Sequence, residues 1–295
     1  MEPLLILVLA LSVVVGLTLG LLGGGGSILM VPLLTYVAGM DAKEAIATSL
    51  FVVGVTSLAS LIPHARNGNV RWGTGAIFGA AGMAGAFLGG LLGGKLPATV
   101  LMIAFALMML ATAGAMVRGR KKREGAEVKK LPLPRIVLDG LLVGLATGLV
   151  GAGGGFLVVP ALALLAGLSM PLAVGTSLLV IAMKSFAGLA GYLNSTAIDW
   201  PLTLAVTAAA IIGSLVGARL TSKIPEQKLR RGFGYFVLAM GVFVLAQELP
   251  HPAGLILAIA AAAVALVWVI CAKIPALAAI CPWRKAPAPL ATAAD

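Results

Sequence analysis

The sequence predicts an all-α polytopic membrane protein. It is built as two inverted-topology repeats of about five segments each, with Gly-broken or re-entrant helices, plus one extra C-terminal transmembrane helix. Three observations predict this. The 295 residues are 60% hydrophobic and only 11% charged, whereas a soluble domain carries about 25% charged residues. The chain repeats itself at an offset of 128, the separation of Pro32 and Pro160. Its Lys and Arg collect in alternate loops, as cytoplasmic loops of multi-pass proteins require.

The first apolar segment opens MEPLLILVLA, with no positive n-region and no small-residue cleavage site, so it reads as a retained first helix and not a signal peptide. It runs into GLLGGGGSILMVP at 20–32. The apolar run 27–38 has about 12 residues, or about 18 Å as a helix, roughly half a bilayer. Segments follow at 45–62, 72–93 and 98–117. The stretches 98–117 and 252–271 contain no Asp, Glu, Lys or Arg, and at about 20 residues each they can cross about 30 Å of hydrocarbon. The glycines of AGMAGAFLGGLLGG at 81–94 read as small residues for close helix packing. The linker RGRKKREGAEVKKLPLP at 118–134 holds seven Lys or Arg and two Glu, and reads as a cytoplasmic loop. The second copy meets GLVGAGGGFLVVP at 148–160 and continues through 172–193, 200–218 and 232–249. The division is a first transmembrane repeat at 1–117, a basic linker at 118–134, a second repeat at 135–249, and a final helix and tail at 250–295.

At the 128 offset Gly20 falls on Gly148, Thr48-Ser49 on Thr176-Ser177, Trp72 on Trp200, Gly85 on Gly213, Gly89 on Gly217 and Lys95 on Lys223. The matched loops differ in charge. The 63–71 loop is basic and its counterpart 191–199 has no Lys or Arg, whereas 94–97 has one Lys and its counterpart lies in a strongly basic stretch. Placing the basic loops inside selects an inverted repeat, with the N-terminus outside and the central loop and C-terminus cytoplasmic.

Glycine permits the irregular backbone that a broken segment needs, and such backbone is tolerated at membrane depth where it lines a cavity. Interrupted segments at matched places in two halves point to a transporter site, with half-helix N-termini offering amide groups to an anion. The Thr48-Ser49 and Thr176-Ser177 hydroxyls sit just inside their helices. They donate to an oxyanion or back-bond to helix carbonyls. Lys184 lies near the middle of 172–193 and seven residues after Ser177, hence on one face with it. A Lys there costs about 2.5–3.5 kcal/mol on insertion scales, so it calls for a cavity, a partner or an anion. Its counterpart, Thr56, is neutral. Asn67, Asn69 and Asn194 read as cap or turn residues, His64 as a loop residue, and Asp139 as a partner for Arg135 four residues before it.

The net charge of +11 reads as topology and not as nucleic-acid binding. Two His near helix ends and no H-E-x-x-H argue against an intramembrane enzyme. Cys271 and Cys281 form no CxxC and imply no metal. No cofactor is expected. Acidic residues are missing from the span centres, so any coupled proton falls to His64, Lys184 or the substrate.

The duplicated glycine clusters followed by Pro, the TSL at 48–50 and 176–178, and the basic central loop resemble the TauE/SafE sulfite exporter family, also called the toluene sulfonate uptake permease family. The resemblance covers residues 5–247. It implies a bacterial inner-membrane secondary transporter of sulfur-containing anions: sulfite, sulfoacetate, related sulfonates or thiosulfate. It implies ion coupling, with protons as the candidate, and export as the expected direction. On matching positions it points to Gly23, Gly24, Gly25, Gly26 and Ser27 with Thr48 and Ser49, and to Gly151, Gly153, Gly154 and Gly155 with Thr176 and Ser177. Lys184 joins them from its position alone. Expected partners are the anion, membrane lipids and protons, with an oligomer compatible. A carrier for another small anion, such as a carboxylate, and a non-transporting membrane scaffold are the alternatives.

Overall fold

Apolar segments of this length become helices because a helix satisfies its own backbone in hydrocarbon. The computed structural model describes residues 2–22, 25–118, 133–150, 158, 159, 162, 168, 170–220, 226–250 and 252. Met1–Leu245 forms one unit and Ala246–Asp295 a second; the fold and the site lie in the first. The central linker over 119–132 and, beyond residue 252, the expected helix at 252–271 lie outside the described residues.

Among the described residues the elements are helical and no strand occurs. Helix α1 is Glu2–Leu22. The short element α2, residues 25–37, is irregular, with a 3-10 turn at Gly25–Leu29, one α turn at Met30–Pro32 and a π turn at Leu33–Val37. Then come α3 (Ala42–Arg66), α4 (Trp72–Lys95), α5 (Ala98–Arg118), α6 (Leu133–Val150), α7 (Met170–Tyr192), α8 (Trp200–Leu220) and α9 (Glu226–Glu248). Five of these are long and apolar enough to cross a membrane, namely α1, α3, α4, α7 and α8. The protein is an all-α polytopic membrane protein.

Local chemistry sets the ends. Gly39 takes φ +72° after α2, a conformation that glycine adopts without cost to a Cβ. Asp41 caps α3, its side chain accepting from the Lys43 N–H at 3.1 Å. At the other end α3 continues through Pro63 to Arg66, so His64 is in the last helical turn and not in a loop. Pro63 removes only the bond to the Ala59 carbonyl, and the Asn67 N–H closes the turn on the Pro63 carbonyl at 3.1 Å. Asn67 is the C-cap, and Gly68 turns the chain at φ +71°. Asn194 donates to the Ala190 carbonyl at 3.5 Å after α7. The side chain of Arg135 lies outside the described residues, and with it the expected Asp139–Arg135 pair.

Helices in lipid associate through close packing, not through exclusion of water, and glycine sets the packing here. A Cβ on Gly85 would strike the Leu141 carbonyl, and one on Gly89 the Leu145 carbonyl; α4 and α6 therefore run parallel in backbone contact. A Cβ on Gly16 would strike the Ala210 carbonyl, and one on Gly20 the Ser214 carbonyl; α1 and α8 pair the same way. The 81–94 glycines thus serve packing, as the sequence suggests. Gly75 faces Leu179 and Gly79 faces Met183, so α4 and α7 are also parallel. By contrast Leu50 meets Gly188, Gly54 meets Phe186 and His64 meets Gly175, so α3 and α7 cross antiparallel. Equivalent helices of the two copies run in opposite directions, and each glycine seam joins one copy to the other. The main buried core includes Leu19, Ile28, Leu34, Leu50, Phe105 and Ile181.

Candidate functional site

Where α3 and α7 cross, Leu50 sits at Gly188 and Gly54 at Phe186, a register whose midpoint falls at Thr56 and its 128-offset counterpart Lys184. Lys184 is only 1% exposed. Its stem runs over Gly82 of α4, where a Cβ would lie 2.9 Å from Cδ and 3.0 Å from Cγ. Its Nζ donates to Thr147 Oγ1 of α6 at 3.1 Å. Asp139 is the one acid in the sequence of α4, α6 and α7. It stands eight residues from Thr147, about 12 Å along the helix. The amine is held by a neutral hydroxyl, four residues before Gly151.

Tyr192 was not singled out from the sequence. It is fully buried, and its hydroxyl donates to the Leu149 carbonyl at 2.5 Å. Leu149 is in the last described turn of α6. Tyr192→Phe is expected to lower stability by about 1–3 kcal/mol, the cost of a buried carbonyl left unpaired, read as a fall in unfolding temperature in detergent. An unchanged temperature would show that the carbonyl has another donor.

The two Thr-Ser pairs lie far apart. Thr48 shares a hydrogen bond with Thr203 Oγ1 of α8 at 3.4 Å. Thr176 accepts from the Arg71 N–H at 3.0 Å, at the start of α4. Ser177 back-bonds to the Val174 carbonyl at 2.7 Å. Thr48, Ser49, Thr176 and Ser177 are all fully buried. Because α3 and α7 are antiparallel, the pairs sit at opposite ends of the crossing, about 20 Å apart along the axis. The flanks of the glycine clusters divide likewise. Gly20 lies against Ser214 and Ala218 near the end of α8, whereas Leu149 lies against Tyr192 at the end of α7. In the first cluster, Gly26 abuts Thr18 and Leu19, and Ser27 is fully buried. Gly23, Gly24, Gly151, Gly153, Gly154 and Gly155 lie outside the described residues. Each end of the crossing thus joins the described flank of one copy's glycine cluster to the other copy's Thr-Ser pair, and the two Thr-Ser pairs do not meet at the centre.

What the centre does hold is hydroxyls. Thr56, Ser57 and Ser60 on α3 and Ser185 on α7 are fully buried, and their side-chain oxygens have no hydrogen-bond partner among the described residues. The sequence reading named only Thr56 among them. The spacing of Thr56, Ser60 and His64 at every fourth residue was the signal that could have found them. Beyond the Thr48 end lies an open cavity of about 470 Å³, lined by Asp41, Lys43, Glu44 and the 195–199 loop. Lys43 Nζ donates to the Gly94 carbonyl at 2.9 Å, and Glu44 accepts the Asp199 N–H at 3.2 Å. These groups tie helix ends together.

The profile of the family described as "Sulfite exporter TauE/SafE" matches residues 8–244. A probable membrane transporter protein of Xylella fastidiosa (strain Temecula1) is 36% identical over 237 residues, covering 78% of this chain and 91% of that protein. The probable membrane transporter protein YdhB of Bacillus subtilis is 29% identical, covering 76% and 93%. The probable membrane transporter protein MJ0441 of Methanocaldococcus jannaschii is 29% identical, covering 81% and 96%. No solved structure matches the chain.

Proposed function

This chain belongs to the TauE/SafE sulfite exporter family, and from that premise we propose that it is a secondary active transporter of a small sulfur-containing anion. The cargo is sulfite, sulfoacetate or a related organosulfonate. The chain moves it across the bacterial inner membrane by alternating access, in the export direction and coupled to protons. The N-terminus is outside, and the central loop and C-terminus are cytoplasmic.

One observation carries the anionic cargo: Lys184 is buried at the α3–α7 crossing with a neutral hydroxyl as its partner. A buried cation without a countercharge is costly, and a passing anion offsets that cost. Gly23, Gly24, Gly25, Gly26, Ser27, Thr48 and Ser49, with Gly151, Gly153, Gly154, Gly155, Thr176 and Ser177, line the two approaches to that point in this reading. Acids are absent from the centres of α3, α4 and α7, so the coupled proton travels on His64, Lys184 or the anion itself. Exchange of access needs one group of helices to tilt against another about a fixed site.

Purified protein in proteoliposomes tests the reading. Labelled sulfite and sulfoacetate are expected to cross faster than in empty vesicles, with acceleration by a proton gradient, while acetate and malonate do not. Flux no greater than in empty vesicles, or equal flux of carboxylates, overturns it.

A further inference from the structure

A Ser or Thr inside a helix usually satisfies its hydroxyl on the carbonyl three or four residues earlier. This protein does so repeatedly: Ser12 on Val8, Thr112 on Met108, Thr147 on Val143, Thr207 on Thr203 and Ser214 on Ile211, all at 3.0 Å or less. Thr56, Ser57 and Ser60 decline that bond although they are fully buried. A buried hydroxyl without a partner costs about 1–3 kcal/mol, so three on two turns of one helix need a reason.

The second copy supplies one. Lys184, Gly188 and Tyr192 form a stripe on α7 that faces the end of α6. Lys184 bonds Thr147, a Cβ on Gly188 would lie 3.5 Å from the Gly148 Cα, and Tyr192 bonds the Leu149 carbonyl. At the 128 offset this stripe is Thr56, Ser60 and His64, and the counterparts of Thr147, Gly148 and Leu149 are Leu19, Gly20 and Leu21 at the end of α1. The second copy closes its position with a long amine and a phenol. The first copy carries two short hydroxyls and an imidazole there, and His64 Nε2 is also buried, with no hydrogen-bond partner among the described residues. Pro63 leaves the Ala59 carbonyl without its helical donor beside them. Ser185, the counterpart of Ser57, is unpaired too, but along the stripe itself the second copy engages its polar ends while the first copy leaves its own unpaired among the described residues.

We propose that the Thr56–Ser60–His64 stripe of α3, with Ser57 beside it, is a binding site for a small oxyanion or sulfonate and its hydration water. The assignment rests on the transporter reading for its purpose, but its test does not depend on flux. Single cysteines replace Ser57, Ser60 or, as an equally buried apolar control on the same helix, Val52, in full-length protein carrying Cys271→Ala and Cys281→Ala. Each is treated in proteoliposomes with the anionic 2-sulfonatoethyl methanethiosulfonate and with its trimethylammonium counterpart. Rates are normalised to an exposed cysteine at Asn67→Cys. Ser→Cys is nearly isosteric, so folding is retained, and monodispersity in detergent checks it. The sulfonate reagent is expected to modify Ser57→Cys and Ser60→Cys about 100-fold faster than Val52→Cys, the difference between a site that opens and one that stays closed. It is also expected to outrun the cationic reagent. Modification no faster than at Val52→Cys, or no preference for the anion, overturns the site. Modification with that preference in a protein that moves no sulfite or sulfoacetate keeps the site and overturns the cargo.

Discussion

Lys184→Met is expected to abolish most anion movement while leaving the protein at least as stable as before. Methionine keeps an unbranched stem over Gly82 and removes only the amine and its bond to Thr147. A hydrogen bond from a charged donor is worth about 1.5–3 kcal/mol, so apparent affinity for the anion falls about 10- to 100-fold. Replacing a buried charge by an apolar side chain of similar volume is neutral or stabilising by about 1–4 kcal/mol, so the unfolding temperature holds or rises. Sulfoacetate flux against concentration and a detergent melt measure the two. Unchanged affinity would remove Lys184 from the binding site, and a large fall in melting temperature would make it a structural residue.

Gly85→Val and Gly213→Val are expected to have the largest effect on folding. The added Cβ of Gly85 meets the Leu141 carbonyl, and that of Gly213 meets the Val13 carbonyl. Overpacking among side chains costs about 1–3 kcal/mol because the neighbours give way. A backbone carbonyl gives way only if its whole helix moves, so the cost reaches the top of that range. Both variants are expected to yield little monodisperse protein, with similar losses because the positions are equivalent. Gly73→Ala in the first turn of α4 is the control: an added Cβ meets nothing there within 4 Å, and helix propensity predicts a gain of about 1 kcal/mol. A well-behaved Gly85→Val protein would show that the α4–α6 seam is not set by close approach.

Much of the architecture was readable before any coordinates. Segments 72–93, 98–117 and 200–218 are helices Trp72–Lys95, Ala98–Arg118 and Trp200–Leu220, because their ends carry charges or prolines. The 128 offset pairs Gly85 with Gly213, and both proved to be points of backbone contact. Lys184 was legible because a lone Lys in an apolar segment is expensive. The separation of the two Thr-Ser pairs was not. A two-fold relation brings together only the residues near its axis, as with Thr56 and Lys184. Thr48 and Thr176 each stand eight residues from that point, about 12 Å along their helices and in opposite senses, so their likeness in sequence is no sign of proximity. His64 was misplaced because a proline one residue earlier reads as a helix stop, whereas in a last turn it removes a single bond.

The glycine grooves have a corollary for how such a chain began. Each groove on one copy is filled only by a helix of the other, and the two insert upside down relative to each other. An ancestral single copy would have carried both grooves bare, and would have finished its surface only by clasping a sister molecule that entered the bilayer in the opposite sense.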